Sequence, residues 1–176
     1  MLSCDLFVIK YKITKEKKMT IETASTLNKD NKVSSPEEQV LSFHLKDQAY
    51  GVYIQNVKEI IKAPERISDY IDNPNVKGII SYRNGSLPII DLINKIENYP
   101  TDNILDKSII VIEKGEKLCG FLVEKVENIQ QTTEKDITEV PRVIDDNASL
   151  GDKFVSKLLK RGDTIIPILD LQKMIG

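Results

Sequence analysis

From Glu37 onward the chain is a series of short apolar runs separated by turn formers. Leu41, Phe43 and Leu45 alternate with Ser42 and His44, the period of a half-buried strand. Lys46-Asp47-Gln48 interrupts that run before Tyr50-Gly51-Val52-Tyr53-Ile54 begins another, which predicts a hairpin. Residues 57–61, Val-Lys-Glu-Ile-Ile, read as a third strand or a short helical turn leading into one, with Glu59 an acid among apolar neighbours. Residues 64–75 carry two prolines and several turn formers around Ile67, Tyr70 and Ile71, and read as loop. Two β-rich runs, 78–83 and 86–91, then flank Asn84-Gly85, a pair suited to a tight hairpin turn. Arg83 stands at the lip of that turn, where a guanidinium offers planar donors to a carboxylate or a carbonyl. Pro88 lacks a ladder donor, so its strand is expected to be an edge or to bend.

The second half repeats the first. An offset of 120 − 51 = 69 pairs Val40-Leu41-Ser42-Phe43 with Ile109-Ile110-Val111-Ile112, and Val57 with Val126. Later an offset of 167 − 88 = 79 pairs Leu87-Pro88-Ile89-Ile90-Asp91-Leu92 with Ile166-Pro167-Ile168-Leu169-Asp170-Leu171. A repeat this long suits two copies of a small β domain rather than a solenoid unit. The fold class expected is all-β: two packed five-stranded β-barrels, with short helical turns after Asp91 and Asp170, each aspartate capping its turn. The approximate repeat boundaries are 37–105 and 106–176. Residues 132–152, with Pro141 and the Asp145-Asp146-Asn147 cluster, read mostly as surface loop. By contrast, residues 1–36 are dominated by polar residues without a sustained period and read as a disordered tail, the competing reading being an extra strand over 6–13. Met19 directly follows Lys-Glu-Lys-Lys and is a candidate initiator.

Charge and chemistry narrow the function by subtraction. With 25 basic and 27 acidic residues interspersed, the formal net charge of −2 gives no global reason to bind nucleic acid or an anionic membrane. No stretch of about 18 apolar residues or signal-peptide pattern is present, so the expected location is the cytoplasm, without membrane insertion. Cys4 and Cys119 are too few and isolated for a disulfide framework or metal site, and Cys119 reads as a small buried hydrophobe. His44 lies on the face opposite Leu41 and Phe43 with no obvious carboxylate partner, and reads as an exposed strand residue. No phosphate loop, metal-ligand spacing or nucleophile elbow is present, so neither catalytic residues nor a cofactor are expected. A small barrel that binds oligonucleotides needs a basic groove interleaved with aromatics, and this chain has no Trp. Protein recognition remains.

The motifs Tyr50-Gly51-Val52-x-Ile54-x-x-Val57-x-Glu59-Ile60-Ile61, Val76-Lys77-Gly78-Ile79-Ile80-x-x-Arg83 and Leu87-Pro88-Ile89-Ile90-Asp91-Leu92, in that order, resemble the CheW family of chemotaxis adaptors. The resemblance runs from about Gln39 to the end. It departs where the family usually has Asn-Leu-Arg-Gly and this chain has Ser81-Tyr82-Arg83-Asn84, and again at Lys157, where the family often has glycine. What the resemblance implies is a non-catalytic adaptor, a monomer when isolated, that couples chemoreceptor tips to the regulatory domain of the histidine kinase CheA. It also implies that strands cross between halves, and that Val57, Glu59, Gly78 and Arg83 are binding residues, with Glu59 approaching Arg83. The alternatives are an adaptor of the same fold in a non-flagellar sensory array and, more distantly, an oligonucleotide-binding barrel.

Overall fold

The computed structural model describes residues 38–69, 76–99, 101–141 and 152–175. The expected tail, Tyr70, Ile71 and the Asp145-Asp146-Asn147 cluster lie outside the described residues. Five strands make up the first repeat: β1 (Glu38–Leu45), β2 (Gln48–Tyr53), β3 (Val57–Lys62), β4 (Gly78–Tyr82) and β5 (Gly85–Asp91), followed by α1 (Leu92–Glu97). The second repeat supplies β6 (Ser108–Lys114), β7 (Lys117–Val123), β8 (Lys125–Thr132), β9 (Ile137–Glu139), β10 (Val155–Arg161) and β11 (Thr164–Leu169), followed by α2 (Leu171–Ile175). β3 covers all of residues 57–61, so that stretch is the third strand, and the short 3-10 turn that leads into it lies earlier, over Ile54–Asn56. Within 132–152, read mostly as loop, the three residues of β9 pair with β10, from Lys157↔Glu139 to Leu159↔Ile137, and residues 142–151 lie outside the described residues.

The repeats exchange strands. One sheet runs β8-β1-β2-β11-β10-β9 and the other β3-β6-β7-β5-β4. Under the sequence offsets, β8, β1, β2, β11 and β10 are the mates of β3, β6, β7, β5 and β4, so the two sheets share one strand order. Each joins the first hairpin of one repeat to the remaining strands of the other. Even the junctions correspond: β11 meets β2 in parallel at Ile168↔Gly51, and β5 meets β7 in parallel at Ile89↔Gly120. The glycines permit that approach, since a Cβ on Gly120 would lie 2.6 Å from Ile89 Cδ1 and from Ile109 Cγ2.

Three apolar cores follow from this arrangement. Each sheet curls around its own cluster, Val40, Leu159, Ile166 and Ile168 in one and Ala63, Ile80, Leu87, Ile89, Ile109, Val111 and Leu122 in the other. The largest core lies between the sheets and draws Phe43, Leu45, Ile90, Ile110, Phe121 and Leu169 from both repeats. In the six-stranded sheet side chains bridge β10 to β8: Arg161 donates from Nε to Gln130 Oε1 at 3.1 Å and from Nη2 to the Gln131 carbonyl, both on β8. The helical turns form as expected. Asp91 caps α1 by accepting from the Asn94 N–H at 3.2 Å, and Asp170 accepts from the Gln172 N–H at 2.9 Å.

Two local expectations are corrected. The hairpin turn falls on Arg83-Asn84, with Tyr82↔Gly85 the last pair, one residue earlier than Asn84-Gly85 suggests. Arg83 therefore takes a positive φ of 53°, as does its repeat mate Gly162 at 57°. Pro88 sits in an interior strand, between β7 and β4. It is tolerated because Ile79, its neighbour on β4, turns both backbone groups away to Ser68, and the parallel ladder with β7 begins only at Ile89.

Candidate protein-binding surface

The site is built where the outer strands of the five-stranded sheet, β3 and β4, come together. The β3–β6 register slips between Val57↔Ile112 and Glu59↔Val111, so β3 carries an extra residue there. Without that bulge Val57 and Glu59 would share a face; with it they do not. Val57 is 7% exposed and belongs to the core between the sheets, whereas Glu59 turns with Ile61 toward the other cluster and its edge.

There Glu59 meets the end of β4. The Tyr82 hydroxyl donates to Glu59 Oε1, and Arg83 Nη2 donates to Glu59 Oε2 at 3.3 Å. The Arg83 guanidinium also lies over the Tyr82 ring, 5.3 Å from its centroid, and the ring packs against the Ala63 and Ile80 cluster. Burial, and then the hydrogen bond to Glu59, push the Tyr82 phenol up to about 12. Electrostatic interaction with Tyr82, and then the bond to Glu59, raise the pKa of Arg83 above its ordinary value, so it stays a cation. Its side chain is 60% exposed, against 28% for Glu59, so the cation is held at its base and open at its tip.

Gly78 occupies a different position. It is buried at the start of β4, beneath the segment that carries Ile67 and Ser68: an added Cβ would lie 2.1 Å from the Ser68 carbonyl oxygen and 2.6 Å from Ile67 Cγ2. That segment is fastened by Ser68 N–H to Ile79 O at 3.0 Å and Ile79 N–H to Ser68 O at 2.8 Å. Of the four residues named from sequence, Glu59 and Arg83 are thus brought together at the surface, while Val57 and Gly78 lie beneath it. Tyr82 is the member that sequence reasoning missed. A signal existed in its place directly before the turn arginine, but a tyrosine in a strand also reads as an ordinary β-former.

Other singled-out residues settle into structural roles. His44 corrects its expectation: Nε2 lies 2.8 Å from Glu127 Oε1 on the neighbouring β8, a partner that strand exchange supplies. Cys119 is a free thiol, 3% exposed, and burial pushes it up to about 12. Asp91, besides capping α1, receives Lys77 Nζ at 2.9 Å and the Thr101 hydroxyl at 3.0 Å, which ties the connection after α1 to the start of β4. Among the described residues no group of three or more His, Cys, Asp or Glu is placed to hold a metal ion, and no helix is long and apolar enough to cross a membrane.

Residues 39–176 match the family model for the CheW-like domain. The "Chemotaxis protein CheW" of Thermotoga maritima is 30% identical over 142 residues, covering 79% of this chain and 88% of that one. That of Treponema pallidum is 24% identical over 149 residues, covering 82% and 85%. Among solved structures, the scaffolding protein TtCheW from Thermoanaerobacter tengcongensis superposes with a TM-score of 0.69 at 24% identity, covering 85% of this chain and 94% of that one. By its motifs in order, its exchanged pair of curled sheets and these matches, the chain belongs to the CheW-like domain family.

Proposed function

We propose that this protein is a non-catalytic chemotaxis adaptor of the cytoplasm, which couples the tips of methyl-accepting chemoreceptors to the histidine kinase CheA. The observation that carries this reading is the lip formed by Glu59, Tyr82 and Arg83, where a family motif coincides with an exposed guanidinium oriented by a half-buried carboxylate. A partner helix laid against such a surface is anchored by van der Waals contacts and a few oriented polar ones, and arginine is enriched among residues that dominate binding. Glu59 and Arg83 are the direct contacts in this reading. Val57 and Gly78 shape the surface from below, Val57 through the core and Gly78 by letting β4 lie close under Ser68. The kinase regulatory domain binds elsewhere.

The test is Arg83→Glu. It places two carboxylates together and removes the exposed donors, so the affinity for a soluble receptor-tip fragment should fall roughly 30-fold or more, measured by calorimetry. The affinity for the isolated regulatory domain of the kinase should change much less. A variant that melts like the wild type and still assembles receptor fragment with kinase at normal affinity would overturn this assignment of the contact.

A further inference from the structure

We propose that Tyr82 is a positioning residue of this surface, holding Glu59 and Arg83 in the single arrangement that a partner meets; its effect on binding rests on the adaptor reading above. Three observations converge on it. Its hydroxyl takes one oxygen of Glu59, which leaves the other, Oε2, for the Arg83 guanidinium. Its ring lies against that guanidinium on a second side. The ring is itself fixed, packed on the Ala63 and Ile80 cluster at the last paired position of β4, opposite Gly85. A long, 60% exposed arginine on a turn is therefore restrained through a side chain anchored in the core.

The restraint is particular to this chain's version of the lip. Where the family usually has leucine before the arginine, an alkyl side chain packs but has no hydroxyl to give Glu59. The repeat makes the same point internally: the mate of Tyr82 is Arg161, and the mate of Glu59, by the offset of 128 − 59 = 69, is Asn128. Arg161 spends its donors on Gln130, on the Gln131 carbonyl and, at 3.5 Å, on Asp136. One lip thus folds its guanidinium back onto neighbouring residues, and the other props it outward.

A restrained side chain loses less freedom when a partner binds, so removing the restraint should weaken binding without removing a contact. The experiment compares wild type, Tyr82→Phe and Glu59→Gln, full-length, by the NMR signals of the Arg83 guanidinium in the free protein and by calorimetry with a receptor-tip fragment. In the wild type the Nη2 signal, from the nitrogen that donates to Glu59, should show slowed solvent exchange and hindered rotation. In Tyr82→Phe, which keeps the ring, it should move toward that of a free arginine side chain, while the melting temperature falls by no more than about 6 °C, the cost of one lost hydrogen bond. The receptor-fragment affinity should fall about 2- to 10-fold, against less than about 2-fold for the kinase regulatory domain. An unchanged Arg83 signal in Tyr82→Phe overturns the proposal, as does a loosened signal with full receptor affinity. A wild type that binds no receptor fragment at all overturns the adaptor reading instead, and the guanidinium signal still decides whether Tyr82 positions Arg83.

Discussion

Replacing Gly78 with alanine separates a supporting role from a contact role. The new Cβ would lie 2.1 Å from the Ser68 carbonyl oxygen, so the Ser68 segment must retreat by about 3.4 − 2.1 = 1.3 Å to reach ordinary contact. The chain can keep the segment and accept overpacking, at about 1–3 kcal/mol. Or it can release the segment and lose both Ser68–Ile79 hydrogen bonds, each worth about 0.5–1.5 kcal/mol. Because these are alternatives, the cost is the smaller rather than their sum. Gly78 has no positive φ, so alanine's lower freedom in the unfolded chain returns about 0.4–1 kcal/mol. The net loss is about 0–2.6 kcal/mol, or up to roughly 10 °C in melting temperature for a chain of this size. Amide exchange gives the sharper reading: the Ile79 N–H, which donates to Ser68 O, should lose protection while amides of β6 and β7 keep theirs. If Gly78→Ala abolishes receptor binding with an unchanged melt and full Ile79 protection, the reasoning is refuted, and Gly78 must touch the partner directly.

Two further outcomes follow from burial. Ile90→Ala and Leu169→Ala should each cost about 2–5 kcal/mol in denaturant unfolding, while His44→Ala, which loses only a partly exposed pair with Glu127, should cost about 0.2–1 kcal/mol; equal small effects at all three would contradict the assigned core. Stability should also fall as pH rises from about 9 to about 12. Over that window the unfolded chain sheds the Cys119 proton first and then the Tyr53 and Tyr82 protons, while burial keeps all three on the folded chain. A Cys119→Ala variant should be less steep between pH 9 and 10, and an unchanged slope there would sink the attribution.

The alternation of Leu41, Phe43 and Leu45, and the recurrence of Gly51 at Gly120 and Pro88 at Pro167, made the strands and the repeat legible. Strand exchange was not legible from the residues themselves, because an internal alignment equates positions without saying which copy's hairpin covers which sheet; the family resemblance suggested it. Which interior Ile90 faces was not legible for a related reason. Both it and Leu169 are buried between the sheets, while Ile89 and Ile168 point into the curled sheets. A strand buried on both sides has no polar face to orient it. The bulge at Val57 and Glu59 likewise leaves no mark in an apolar run, so two residues spaced as same-face neighbours part company. Glu59 and Arg83 were paired through the resemblance, and the geometry bears out their approach.

The exchange also sets how the two repeat-related surfaces are joined. Each curled sheet contains the first hairpin of one repeat and the last strands of the other, and the core between them takes large side chains from both. Neither repeat alone can bury Phe43, Ile90, Phe121 or Leu169, so the two sheets must stand or melt together as one cooperative unit. The fold therefore fixes two lips related by the repeat, and the sequence then makes them unlike. At one, Arg83 takes the turn position with a positive φ and projects; at the other, that position is Gly162, and Arg161 is spent on Gln130, Gln131 and Asp136. The two surfaces, joined through one core, thus correspond in position and differ in chemistry. The sequence difference that produces this is small: a tyrosine, an arginine and a glutamate on one copy, against an arginine, a glycine and an asparagine on the other.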